Sequence, residues 1–197
     1  MILDPETLGP RDTYKFLIGS VVPRPIAWTS TVSGDGTHNL APFSFYTVAS
    51  REPPTLAVSI GPRTDDQAPQ KDTLKNIRDT AEFVVNVVSM PLANSMRESS
   101  LNHAPDADEF TVANLTPAEC EVVKAPRVEE ALISSECALD RILPVGGDHL
   151  VLGRVIRFHI RDDIYKNGRV DLEALDPLGR LAGNYTKLGG IFDLPMD

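Results

Sequence analysis

Strand-forming runs follow one another through this chain with almost no helix between them. Thr55-Leu56-Ala57-Val58-Ser59-Ile60, Glu82-Phe83-Val84-Val85-Asn86-Val87-Val88, Ser134 to Ile142 and Leu150 to Ile160 are rich in apolar and β-branched residues. Parallel neighbours need crossovers of a dozen or more residues, usually helical, and only three short helices are legible. The chain is therefore expected to be mostly β with peripheral helices, its strands closing into an antiparallel barrel. With 197 residues it most simply forms one domain over 1–197, large enough to bury a sizeable core.

The local signals fill in that frame. Asp12 to Gly19 reads as a short helix, capped by Asp12 and stopped by Gly19. Residues 24–32 read as a strand. Pro23 and Pro25 cannot donate to a ladder, so this strand is expected to begin at a sheet edge or a bulge. Ser33-Gly34-Asp35-Gly36 is a turn. Its partner strand includes His38 to Leu40 and continues as Phe43 to Ala49 after Pro42 interrupts the ladder. Gly61 to Gln70 has loop composition. Asp72 to Asp79 is a helix capped by Asp72, and Ser89 caps another through about Ser99, with Pro91 in its first turn. Leu101 to Ala118 is polar and reads as an excursion from the barrel. Gly146-Gly147 joins two strands, and Asn167-Gly168 is a hairpin turn.

Charge and composition exclude some classes of function. A formal net charge of -9 argues against a nucleic-acid binder, which shows a basic face. It leaves anionic small ligands open, because local cations can hold a phosphate. Cys120 and Cys137 form no C-x-x-C pair and lie at no metal-type spacing from a histidine pair, so no metal is expected. The first residues lack a secretion-signal pattern, and no apolar run approaches the roughly 18 residues of a membrane span. A cytoplasmic location is expected.

Three stretches carry the chemistry. In the first, Pro23 to Thr31 runs an apolar strand into the hydroxyls of Thr29, Ser30 and Thr31. Asn39-Leu40-Ala41-Pro42-Phe43-Ser44-Phe45 then returns beside it with an amide, a proline and a hydroxyl. This suits a flat cofactor with one polar edge, and it equally suits an ordinary hairpin. In the second, Lys71-Asp72-Thr73 opens a helix after a loop containing Arg63; a helix N-terminus with a lysine and a hydroxyl suits a phosphate. A capped surface helix gives the same letters. In the third, Gly147-Asp148-His149 puts a histidine at the mouth of a strand, a place where a structural hydrogen bond is the plainer role. No G-x-S-x-G, P-loop, G-x-G-x-x-G or H-E-x-x-H occurs. Without acid, base or nucleophile machinery, any catalysis would draw its reactivity from a cofactor.

Taken together, P-R-P-I-A-W-T-S-T, N-L-A-P-F-S-F, K-D-T and E-F-V-V-N-V-V resemble the flavin reductase-like, FMN-binding split-barrel family, in particular its flavoredoxin-type branch. The resemblance runs from about Val21 to Tyr185. It takes in Asp108-Glu109-Phe110, Cys137, the G-D-H turn with L-V-L-G-R-V, and Leu178-Gly179-Arg180-Leu181.

The resemblance implies a homodimeric split β-barrel holding FMN near the subunit interface, with FAD the alternative flavin. Thr29, Ser30 and Thr31 would line the ring, and Asn39, Ala41, Pro42 and Ser44 its polar edge and ribityl chain. Ser59, Arg63, Lys71 and Thr73 would take the phosphate, with Asp72 positioning that turn. His149 would meet NAD(P)H, and Tyr185 would cover the flavin of its own or the partner subunit. The implied activity is NAD(P)H-dependent hydride transfer to flavin N5 with onward electron donation, for example to a monooxygenase. An electron carrier without nicotinamide activity and a barrel without flavin, serving as a binding module, are the competing readings.

Overall fold

The computed structural model describes residues 1–63, 70–104 and 107–194. Most of the expected 61–70 loop, and residues 105–106 of the expected excursion, lie outside the described residues.

The first five strands are β1 (Ala27–Val32), β2 (His38–Phe43), β3 (Tyr46–Arg51), β4 (Pro54–Ile60) and β5 (Glu82–Val87). A short ribbon of β6 (Pro117–Ala118) and β7 (Arg127–Val128) precedes the long hairpin of β8 (Ile133–Val145) and β9 (Asp148–Ile160). The main sheet has the order β2-β1-β5-β8-β9-β4-β3, every pair antiparallel. Its two edges, β2 and β3, are joined by Ser44 and Phe45 alone. Three Cα steps reach roughly 11 Å at most, so the sheet has to curl until its edges approach at that bend. There the Ser59 N–H of β4 donates to the Phe45 carbonyl at 2.8 Å. No ladder joins β2 to β3 among the described residues, so the barrel closes at the bend and stays split along that seam.

The barrel interior is filled by Ala27, Phe43, Val58, Ile60, Phe83, Val85, Cys137 and Val151. Helix α2 (Asp72–Thr80) plugs one end with Leu74 and Ile77. A second cluster packs Trp28 and Leu40 against Met96 of α3 (Ala93–Glu98) and Phe110 of α4 (Glu109–Val112). β1 is thus covered on both faces. The fully buried Phe83 ring lies against Gly153, where an added Cβ would come within 2.2 Å of Cζ, so only glycine fits there. Asn167 (φ 52°) and Gly168 (φ 79°) make the expected turn, between β10 (Tyr165–Lys166) and β11 (Arg169–Val170). The chain ends after α5 (Leu172–Leu175) with a ribbon of β12 (Gly179–Arg180) and β13 (Tyr185–Thr186).

Several expectations need correction. β1 starts at Ala27, past both prolines, and lies between β2 and β5 rather than at an edge. β2 runs through Pro42, which faces Trp28 across the ladder; an edge strand tolerates the missing N–H, and the break falls after Phe43. Asp12 caps nothing: helix α1 spans Pro10–Ser20 with Gly9 at the cap, Gly19 lies inside it, and Asp12 pairs with Lys15. Ser89 makes no side-chain cap either, and a short 3-10 turn precedes α3. Within the expected excursion, residues 109–112 do not leave the barrel: α4 docks on β2 with Phe110 fully buried.

Candidate functional site

Alternation along β1 decides what its hydroxyls can do. Side chains of a strand point to opposite faces in turn, so Ser30 cannot share a face with Thr29 and Thr31. All three are fully buried. The Ser30 hydroxyl donates to the Pro126 carbonyl and accepts from Asn86 Nδ2 at 3.1 Å. Thr31 Oγ1 accepts from Asn39 Nδ2 at 3.2 Å and from Asn76 Nδ2 at 3.1 Å, and Thr29 Oγ1 donates to the Ala27 carbonyl at 3.3 Å. These side chains support the floor from within, and none lines the two clefts described next.

The first cleft, about 70 Å³, opens where β2 faces the N-terminus of α2. Asn39, Ala41, Pro42, Arg63, Lys71, Asp72 and Thr73, all sequence candidates, line it. Lys71 rather than Asp72 occupies the N-cap position of α2. Asp72 instead accepts from Arg63 Nη1 at 2.8 Å. This correction changes its task, since it now fixes a cation beside the helix end. Arg63 also reaches the His103 carbonyl at 3.4 Å. Asn39 Nδ2 donates to the buried Thr73 hydroxyl at 2.9 Å, so the β2 amide sets the hydroxyl at the helix start.

A second cleft, about 190 Å³, continues from the first across Pro42 and Ser100. Ile26, Ser44, Met96, Arg180 and Tyr185 complete its lining. The Arg180 guanidinium stacks on the Tyr185 ring at 4.5 Å from its centroid. Buried Arg24 steadies this end: it donates to the carbonyls of Ile18 (2.8 Å), Val21 (2.6 Å) and Leu181 (2.8 Å), and to Ser44 Oγ at 3.4 Å. The joined furrow has Arg63, Lys71 and the start of α2 at one end, and at the other a mixed wall in which Ile26, Pro42 and Met96 stand beside Ser44, Arg180 and the Tyr185 ring.

Besides Thr29, Ser30 and Thr31, two further candidates fall outside it. Ser59 donates to Asp148 Oδ2 at 3.3 Å, and His149 pairs with Ile60 of β4 and Pro144 of β8; neither lines the furrow. Other lining residues carried no strong sequence signal: Ser99, Ser100, His103 and Glu109. Glu109 Oε2 accepts the Leu40 N–H at 3.1 Å. Burial pushes its carboxyl up to about 7, against the pull of that N–H. D-E-F marked the spot only as part of the family pattern.

Comparison with known proteins agrees with this architecture. The flavin reductase like domain family matches residues 18–189, and the chain belongs to that family. An uncharacterized protein of Halalkalibacterium halodurans is 41% identical, over 98% of this chain and 95% of its own. The crystal structure of nitrilotriacetate monooxygenase component B from Bacillus cereus is 37% identical, with a TM-score of 0.94 and 98% of each chain covered. A split barrel domain protein from Shewanella frigidimarina, 22% identical, has a TM-score of 0.85 over all of both chains and shows the same fold. The antiparallel split barrel is thus the fold, and a flavin-related redox role comes with the family.

Proposed function

We propose that the furrow binds FMN and that the protein is an NAD(P)H-dependent flavin reductase, passing electrons to a separate acceptor. The observation that supports this most is one continuous groove with Arg63, Lys71 and Thr73 at a helix N-terminus and Ile26, Pro42 and Met96 at its far end. Such a groove fits a molecule with a phosphate dianion at one end and, at the other, a flat ring with apolar faces and a hydrogen-bonding edge, which Ser44, Arg180 and Tyr185 can meet. The two carboxylates in it do not spoil the fit: Asp72 is paired with Arg63, and Glu109 keeps its proton to about pH 7. FAD would share the same phosphate contact and remains the alternative flavin.

In this reading Lys71 and Thr73 hold the phosphate, Asp72 orients Arg63 towards it, and Asn39 sets the Thr73 hydroxyl. Ala41, Pro42 and Ser44 follow the ribityl chain and ring edge. Thr29, Ser30 and Thr31 fix the strand beneath, and Ser59 holds the Asp148 side of the barrel. Tyr185 shields the ring in its own or the partner subunit of a homodimer. Flavin held there would supply the redox chemistry, that of a hydride acceptor. The chain's own residues position the two rings and exclude water, with no protein nucleophile. His149 is assigned to the nicotinamide side, and the name of the Bacillus cereus relative favours a monooxygenase as acceptor.

Steady-state oxidation of NADH and of NADPH by the purified protein, with FMN and then FAD added, tests the proposal. Turnover with at least one donor is expected. Retained flavin without turnover makes the protein an electron carrier, and FMN fluorescence left unquenched on titration removes the flavin site altogether. His149→Ala should raise the KM for the donor with flavin content intact.

A further inference from the structure

Cys120, Glu136 and His159 come together outside the furrow, and nothing above uses them. Cys120 lies between β6 and β7, Glu136 on β8 and His159 on β9. β8 pairs Ser134 with His159 and Glu136 with Arg157, so Glu136 and His159 are diagonal neighbours across the ladder. One ligand atom from each residue (the thiol Sγ, a carboxylate oxygen and an imidazole nitrogen) lies within 4.8 Å of the other two. His159 Nε2 is 2.6 Å from Glu136 Oε1.

The cluster is built, not casual. The Glu136 side chain is fully buried, and three main-chain N–H groups aim its carboxylate. Glu121 donates to Oε1 at 2.8 Å; Val122 and Val123 donate to Oε2 at 2.8 and 2.9 Å. Cys120 and His159 are only partly buried, which leaves a way in from solvent.

We propose that Cys120, Glu136 and His159 form a three-ligand site for one divalent ion of borderline softness, Zn²⁺ or Co²⁺, with water in the fourth position. Sulfur, imidazole nitrogen and carboxylate oxygen are the donors that such ions select. Bonds of about 2.0–2.3 Å in a tetrahedron place ligand atoms roughly 3–4 Å apart. The observed spacing needs only side-chain adjustment, with the ion replacing the direct His159–Glu136 hydrogen bond. On binding, the Cys120 thiol gives its proton to water; thiolate and carboxylate then balance the 2+ charge. The three N–H groups already provide the outer support that orients a carboxylate ligand.

The ion would cross-link the segment ahead of β7 to the β8–β9 hairpin. That segment packs Val123 and Ala125 on Val84, and its Pro126 carbonyl accepts the Ser30 hydroxyl. The site is independent of the flavin reading.

The test is titration of chelator-treated protein with Co²⁺, followed by Zn²⁺ displacement. One equivalent of Co²⁺ should give a thiolate-to-cobalt charge-transfer band and intense tetrahedral d–d bands, both lost on adding Zn²⁺. Cys120→Ser should abolish the charge-transfer band and His159→Ala should weaken the d–d bands, with flavin binding unchanged in each. Absence of the bands from wild-type protein, or a charge-transfer band that survives Cys120→Ser, overturns the site. Should either variant fail to fold, alkylation of wild-type Cys120 by iodoacetamide decides: Zn²⁺ must slow it at least tenfold, and equal rates overturn the proposal.

Discussion

The hydroxyl row of β1 and the mouth of α2 use the same chemical groups to opposite ends. On β1, the Ser30 and Thr31 hydroxyls meet internal amides and carbonyls in a strand covered on both faces. At α2, Lys71, Thr73 and Arg63 border a cavity open to solvent, with a helix end behind them. Strand interiors consume polar groups for support, whereas element ends and loops present them to ligands. The letters T-S-T and K-D-T do not reveal this difference, and Thr73 is as buried as Thr31; what differs is that Thr73 stands in the wall of a cavity.

The largest effect should come from breaking the β1 side. Asn86 Nδ2 donates to the Trp28 carbonyl (3.0 Å) and Ser30 Oγ (3.1 Å); its Oδ1 accepts from the Val128 N–H (3.0 Å) and Ser134 Oγ (2.8 Å). Asn86→Ala removes a partner from each of these buried groups, Ser30 keeping only its bond to the Pro126 carbonyl, at about 4 kcal/mol in all. Urea unfolding should show that loss, with FMN affinity of the folded protein changed less than twofold. A stable variant that had lost its flavin would instead move β1 into the site and erase the contrast.

On the cleft side the expected order reverses. Lys71→Ala with Thr73→Ala removes a cation and a hydroxyl from the proposed phosphate position. Charged hydrogen bonds contribute about 1.5–3 kcal/mol each, so FMN should bind at least tenfold more weakly. Riboflavin, which has no phosphate, should bind the variant and wild type alike. Equal FMN affinity by calorimetry would place the phosphate elsewhere.

How far the sequence reaches follows the same division. The strands of 55–60 and 82–88, the hairpin of β8 and β9, the Asn167-Gly168 turn and the presence of α2 are local patterns, and periodicity with turn chemistry located them. The partners of Asp72 were beyond it, because whether a carboxylate caps its own helix or holds Arg63 depends on where another loop passes. Glu109 stood in a polar run read as an excursion and in the D-E-F of the family pattern, and its burial follows only from the docking of α4 on β2. The meeting of residues 120, 136 and 159 has no spacing signature at all, since the sheet alone brings them together.

The smallest effect tests that docking. Glu109 has a folded-state pKa of about 7 against an ordinary value of 4.5. Between those values the folded state binds more protons than the unfolded one, so stability falls as pH rises from about 4.5 to 7 and then levels. Asp72 and His103 face the group with opposite signs, burial outweighs both, and the Leu40 N–H opposes it. Glu109→Gln keeps an acceptor for that N–H and removes the titration. Since the carboxyl is partly exposed, solvent screening reduces the gain at pH 8 to about 1–2 kcal/mol, vanishing near pH 4. The variant should also bind FMN a few-fold more tightly at pH 8, where wild type sets a carboxylate against the phosphate. Parallel stability–pH curves for the two proteins would mean that the Glu109 carboxyl is solvated, and that α4 does not close over β2 as tightly as its buried Phe110 requires.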